Sequence, residues 1–197
     1  PAGNLAYDSA RSLDRIAFDQ SRETCFSLGR TTISRAKRDP NGVYQLETTV
    51  ALPWEWTALN RVPMGYLKGM LLIPLRGRSV VVFDARSLEP IAELQLPRPG
   101  IPLSLTCDEG SGVAVVTYAN GETWLFDSAD KSLTKKQFVR KATSSAFDAK
   151  GQLVIAHGVD DFSVVQLPSG TVVSSPTVQK NLVRNVYDWF LDPIYSV

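Results

Sequence analysis

The sequence is short of the residues that most metal and nucleophilic chemistry requires. Among 197 residues there is one histidine, His157, and there are two cysteines, Cys25 and Cys107. A single imidazole excludes every multi-histidine metal site. The two thiols are too far apart for a redox pair or a zinc knuckle, so both read as buried, reduced residues. No asparagine begins an Asn-x-Ser/Thr acceptor, no Gly-x-Ser-x-Gly elbow is present, and no glycine-rich phosphate loop leads into a helix. Net charge is missing as well: 21 Lys and Arg stand against 20 Asp and Glu. That balance gives no overall field for a nucleic acid or an anionic membrane, and no nucleic-acid partner is expected. The longest apolar run, Met70 to Leu75, is too short to span a bilayer. The opening "PAGNLAYD" has neither the charged start nor the apolar centre of a signal peptide. Beginning without methionine, the chain reads as a trimmed piece of something longer.

The one cluster with metal-ligating residue types is "HGVDD", His157 to Asp161. A strand followed by a turn sends His157 away from Asp160 and Asp161, so no metal site is expected there. The paired carboxylates Asp108 and Glu109 sit in a turn and read as solvated. No catalytic residue, cofactor or metal ligand is therefore assigned, and the balance is against an enzyme.

What the sequence does have is a repeat. "SVVVFDARSLEP" (Ser79 to Pro90) and "ETWLFDSADKSL" (Glu122 to Leu133) share an apolar run that closes on Phe-Asp, a polar turn, and the start of another extended segment. They recur about 40 residues apart, the period of sheet-repeat architectures. Similar apolar runs occupy Cys25 to Leu28, Met70 to Ile73, Val113 to Val116, Leu153 to Ala156 and Val164 to Leu167. Between them lie "DPNG", "DEGSG", "NG", "AKG" and "PSG", which close hairpins. Continuous runs such as "SVVVF" require cover on both faces, and no segment between them has a helical period, so the cover must come from other sheets. Alternating segments fit half-wet outer strands. "PIAELQLP" puts Ala92, Leu94 and Leu96 on one face, and "VYQLETTV" puts Tyr44, Leu46 and Val50 on one face. In "SLTKKQFV", Lys135 and Lys136 protect an exposed edge.

The pattern divides the chain into four units at about residues 14–52, 53–98, 99–140 and 141–176. The third and fourth units, "GVAVVTYANGETWLFDSADKSLTKKQFVRKATSSAFDAKGQLVIAHGVDDFSVVQL", resemble WD40 and YVTN-type β-propeller repeats, although Gly-His/Trp-Asp pairs are absent. The expected fold is all-β and propeller-like, with about four antiparallel four-stranded blades over residues 1–176. Residues 177–197 form a C-terminal tail in which "NLVRNVYDWFLDP" reads as a short helix with Leu182, Val186, Trp189 and Phe190 on one stripe.

In such a fold the turns between second and third strands, and the links from one blade to the next, emerge on one face. That face carries Trp54, Trp56, Arg76, Arg78, Arg98 and Arg140, the last beside Lys141. Trp and Arg most often dominate interface energies. These six residues are the candidate interaction site. The expected function is a non-catalytic platform for a protein partner, either free or as part of a larger protein. Two other readings compete with it. One is an extramembrane domain of a protein resembling bacterial ABC-transporter permeases, with the C-terminal helix close to the membrane. The other is a propeller hydrolase or small-ligand binder with its site in the central channel. The run "SRAKRD", Ser34 to Asp39, reads as a solvated hairpin face.

Overall fold

Aspartate and glycine turns close the apolar runs into hairpins, and the hairpins build four sheets in sequence. The computed structural model describes residues 16–29, 31–52, 62–157, 161–167 and 169–174, and every regular element among them is a strand. The first sheet contains β1 (Ile16–Phe18), β2 (Thr24–Leu28), β3 (Thr32–Arg38) and β4 (Tyr44–Ala51). The second contains β5 (Gly65–Leu67), β6 (Met70–Pro74), β7 (Gly77–Asp84) and β8 (Pro90–Gly100). The third contains β9 (Pro102–Asp108), β10 (Val113–Tyr118), β11 (Thr123–Asp127) and β12 (Ser132–Lys136). The fourth contains β13 (Ala142–Phe147), β14 (Leu153–His157), β15 (Asp161–Gln166) and β16 (Thr171–Ser174). Within each sheet the strands lie side by side in chain order, all antiparallel. The first strands of consecutive sheets approach one another, β1 with β5, β5 with β9 and β9 with β13, so they form the inner side of an arc. These are the four four-stranded blades that the repeat implies. The proposed C-terminal helix lies outside the described residues.

Four apolar clusters join the sheets face to face, two of them between the second and third. Between the first and second, Phe26, Leu28 and Ile33 meet Leu71, Ile73, Val81 and Phe83. Between the second and third, Leu67, Met70, Leu72, Val80 and Val82 meet Ala114 and Phe126. Between the third and fourth, Val113, Val115 and Leu125 meet Leu153, Ile155 and Val165. Strands of the middle sheets are therefore covered on both sides, and β6 and β10 are buried along their whole length. Phe83 and Phe126 each fill the interface with the preceding sheet. Val165 does the same in the fourth. In the first sheet the residue before the turn aspartate is Arg38, on the face turned away from the second sheet, and it is exposed.

Glycine sets the closeness of the inner strands at one point. A Cβ on Gly65 would lie 2.6 Å from the Cys107 sulfur and 2.9 Å from Leu105 Cδ2, so only glycine lets β5 come this near β9. Burial, and secondarily the Glu109 carboxylate, push the Cys107 thiol up to about 12. Burial also raises Cys25. Both cysteines are free, and neither is a poised thiolate.

Two expectations need correction. Tyr44 and Leu46 share the outer face of β4, but Val50 does not: the register against β3 shifts between Arg35 and Ala36, and this bulge carries Val50 round to the inner face opposite Ile33. The basic run is also not simply solvated. Arg35 pairs with Glu47 at 2.9 Å and donates Nη1 hydrogen bonds to the backbone oxygens of Ala85 and Arg86, bracing the first sheet against the second.

The turns at one end of the arc are built on carboxylates. Asp84 Oδ1 accepts from the backbone N–H groups of Arg86 and Ser87 at 2.9 and 2.7 Å. Asp39 Oδ1 accepts from Val43 and Asn41, and Asp148 Oδ1 from Lys150 and Gln152. Leu88 and Lys131 take the left-handed conformation at the same place after Asp84 and Asp127. The Ser87 backbone bond holds Asp84 below its ordinary 3.8, the Val43 bond does so for Asp39, and the Ser132 hydroxyl for Asp130. A carboxylate lowered in the folded state stabilises fully above its unfolded value and ceases to as pH falls through its folded value. We expect the melting temperature to be level above about pH 5 and to drop below about pH 4. In circular dichroism melts Asp84→Asn, whose amide oxygen accepts the same bonds, should show a shallower drop. An equal drop in the variant would show that Asp84 does not contribute.

Candidate interaction surface

The two ends of the arc differ in how their charged groups are used. At the end holding the first-to-second and third-to-fourth turns, the aspartates cap backbone. Asp19 accepts from Thr24, Asp108 from Gly110 and Ser111, Asp127 from Ala129 and Asp130 from Ser132. Glu109 reaches across to the second sheet and accepts from Lys68 N at 2.8 Å, which satisfies the Lys68-Gly69 turn. Ser128 N donates to Gly112 O at 2.9 Å and Ala85 N to Gly69 O at 2.8 Å, so the turns form a hydrogen-bonded rim. These carboxylates are engaged in holding the turns of their own end.

The opposite end carries the second-to-third turns and the links between sheets. Arg76 lies in the turn between β6 and β7, and Arg78 at the start of β7. Arg98 sits in the "PRPG" end of β8, where the register against β7 jumps between Gly77 and Ser79. Arg140 and Lys141 lie in the link from β12 to β13. Arg76, Arg98, Arg140 and Lys141 are exposed. The structure thus puts Arg76, Arg78, Arg98 and Arg140 at one end of the arc, as the topology required. Trp54 and Trp56 lie outside the described residues.

One turn organises the middle of this end. Tyr118 to Gly121 closes β10 onto β11, with Gly121 N donating to Tyr118 O at 2.8 Å and Asn120 Oδ1 accepting from Glu122 N at 2.9 Å. On one side Ala119 N donates to Ile101 O at 2.8 Å. On the other, a Cβ on Gly121 would lie 2.9 Å from Lys141 Cα. The turn is therefore held between the link that precedes the third sheet and the link that follows it. Ile101 and Leu103 beside it are 44% and 47% exposed. Sequence reasoning missed these two, because isolated aliphatic residues at a strand start carry no pattern.

Carboxylates are scarce here. Among the described residues, the ones at this end are Asp161 and Glu122. The Lys135 ammonium pairs with Glu122 and holds it below its ordinary value, and the Trp124 indole N–H donates to it at 3.3 Å. His157 Nε2 lies 2.9 Å from Ser163 Oγ, and Ser163 is buried within the fourth sheet. Among the described residues no group of three or more His, Cys, Asp or Glu could hold a metal, and no helix is long and apolar enough to cross a membrane.

No family model matches the chain, and no curated protein is similar to it in sequence. Solved structures are similar in fold. Hydrazine synthase of Kuenenia stuttgartiensis aligns with a TM-score of 0.61 at 13% identity, over 90% of this chain and 53% of that one. The WD40 domain of Neurospora crassa Pan2 aligns with 0.59 at 14%, over 83% and 49%. Raptor of Chaetomium thermophilum aligns with 0.57 at 14%, over 80% and 16%. The fold is thus propeller-like and of WD40 type. The chain spans about half the length of the hydrazine synthase and Pan2 chains. At these identities the likeness carries fold alone, and one of the three is an enzyme, so function has to be argued from the surface.

Proposed function

We propose that this protein is a non-catalytic interaction platform, with residues 1–176 as its repeat domain, whose protein partner docks on the end bearing the links between sheets. The observation that carries this reading is the division of labour between the ends. One end uses its carboxylates to cap its own turns. The other exposes Arg76, Arg98, Arg140 and Lys141 beside two accessible aliphatic side chains. Arginine next to apolar surface is the composition that most often supplies binding energy. The WD40-type fold is compatible with this and does not decide it.

The test is co-purification from an extract of the source organism with Arg98→Glu/Arg140→Glu compared against Lys68→Glu/Lys150→Glu, which reverses charge at the opposite end. Proteins retained by the unchanged chain should be lost from the first variant and kept by the second. Equal retention by both variants, with unchanged melting temperatures, would overturn the assignment of the docking end.

A further inference from the structure

We infer that the cationic end of the arc takes an acidic peptide segment carrying apolar side chains. The inference deepens the platform reading and rests on it. The cations are few and local, and their positions are fixed by backbone. Lys141 is packed against the Gly121 turn, Ile101 is hydrogen-bonded to the other side of that turn, and Arg140 and Arg98 lie one and three residues from these anchors. Three cationic side chains and two aliphatic ones thus emerge from segments locked to a single tight turn, so little order has to be imposed on binding. Glutamate or aspartate side chains match guanidinium groups in two-point hydrogen bonding, while the exposed faces of Ile101 and Leu103 give an apolar side chain somewhere to go.

A nucleic acid fits the same surface poorly. Its affinity comes from many phosphates neutralised along a track, and the chain's near balance of charge offers no such track. Single strands add stacking on exposed aromatic rings, whereas Tyr118, Trp124 and Phe126, the aromatic residues of β10 and β11, are all buried. Exposed isoleucine and leucine have no counterpart on a sugar-phosphate chain.

The experiment is fluorescence anisotropy on the full chain with four probes: a labelled peptide of glutamates interspersed with leucine, an all-glutamate peptide of equal charge, an oligothymidylate of equal charge, and phosphatidylserine vesicles followed by co-sedimentation. The leucine-containing acidic peptide should bind best and weaken about tenfold as salt rises from low to physiological strength. Arg98→Glu/Arg140→Glu should weaken it about tenfold or more at unchanged melting temperature. Ile101→Ser should weaken this peptide but leave the all-glutamate one unaffected, and Lys68→Glu/Lys150→Glu should change neither. The inference is overturned if the oligothymidylate or the vesicles bind more tightly through the same arginines, or if no acidic peptide binds. If co-purifying proteins depend on this end while acidic peptides do not bind, the platform stands and the acidic partner falls. If the peptide binds while no protein depends on this end, the platform reading is the one that fails.

Discussion

Phe126→Ala should cost about 3–5 kcal/mol of folding stability, as expected for a fully buried phenylalanine in a site that cannot collapse. Its ring is wholly inaccessible and packs into the core shared by the second and third sheets, among Leu67, Met70, Leu72, Val80 and Val82. β11 is hydrogen-bonded on both sides, to β10 and β12, so the backbone around the deletion is held in place. Urea unfolding should show a lower midpoint with an unchanged slope. The repeat supplies its own control. Arg38 precedes Asp39 as Phe126 precedes Asp127, but it faces away from any described sheet, so Arg38→Ala should cost within about 0.5 kcal/mol. A loss below about 1 kcal/mol for Phe126→Ala would contradict the packing of the second sheet on the third.

Gly121→Ala should be the most damaging of the glycine substitutions at positive φ, at about 3 kcal/mol, summing a left-handed cost of roughly 1–2 with an overpacking cost of roughly 1–3. Gly121 has φ +81°, and the added carbon would meet the Lys141 backbone, which has no rotamer with which to move aside. Gly69 separates the two contributions. Its φ is +76°, and nothing lies within 4 Å of where its Cβ would be. Gly69→Ala should therefore cost only the conformational part, about 1–2 kcal/mol. Gly121→Ala should also weaken the acidic peptide, since it parts Lys141 from the turn that aligns it with Ile101, whereas Gly69→Ala should not. Equal stability losses for the two variants would show that the contact with Lys141 has no cost.

The sequence made the centre of the arc most legible and its two flanks least. Strands such as Val113–Tyr118 are enclosed by neighbours on both faces, so burial imposes an unbroken apolar run that is visible without any structure. The 40-residue recurrence of Phe-Asp placed the sheet boundaries because the phenylalanine and the aspartate have separate jobs, one filling the interface and one capping the turn. The inner strand β5 escaped notice, since three residues cannot establish a period. β4 misled because a bulge is silent in the sequence and yet reverses every face beyond it. That Arg76, Arg98 and Arg140 share the end bearing the links between sheets follows from connectivity alone. What the sequence could not show was that the aspartates of the other end are already engaged by backbone, since capping depends on a bond two to five residues away that composition does not distinguish from an open charge.

The strand order has a consequence for how the protein is made. Among the described residues each strand pairs with its neighbours in the chain, so the four strands of a sheet are all present once the fourth leaves the ribosome. What waits is the apolar face that the next sheet will cover. Val113, Val115 and Leu125 stay bare until the strands carrying Leu153, Ile155 and Val165 have been synthesised. At roughly 5–20 residues per second, a repeat of about 40 residues leaves each such face open for about 2–8 s. Synthesis thus passes through a succession of intermediates, each with one apolar sheet face still waiting for its cover.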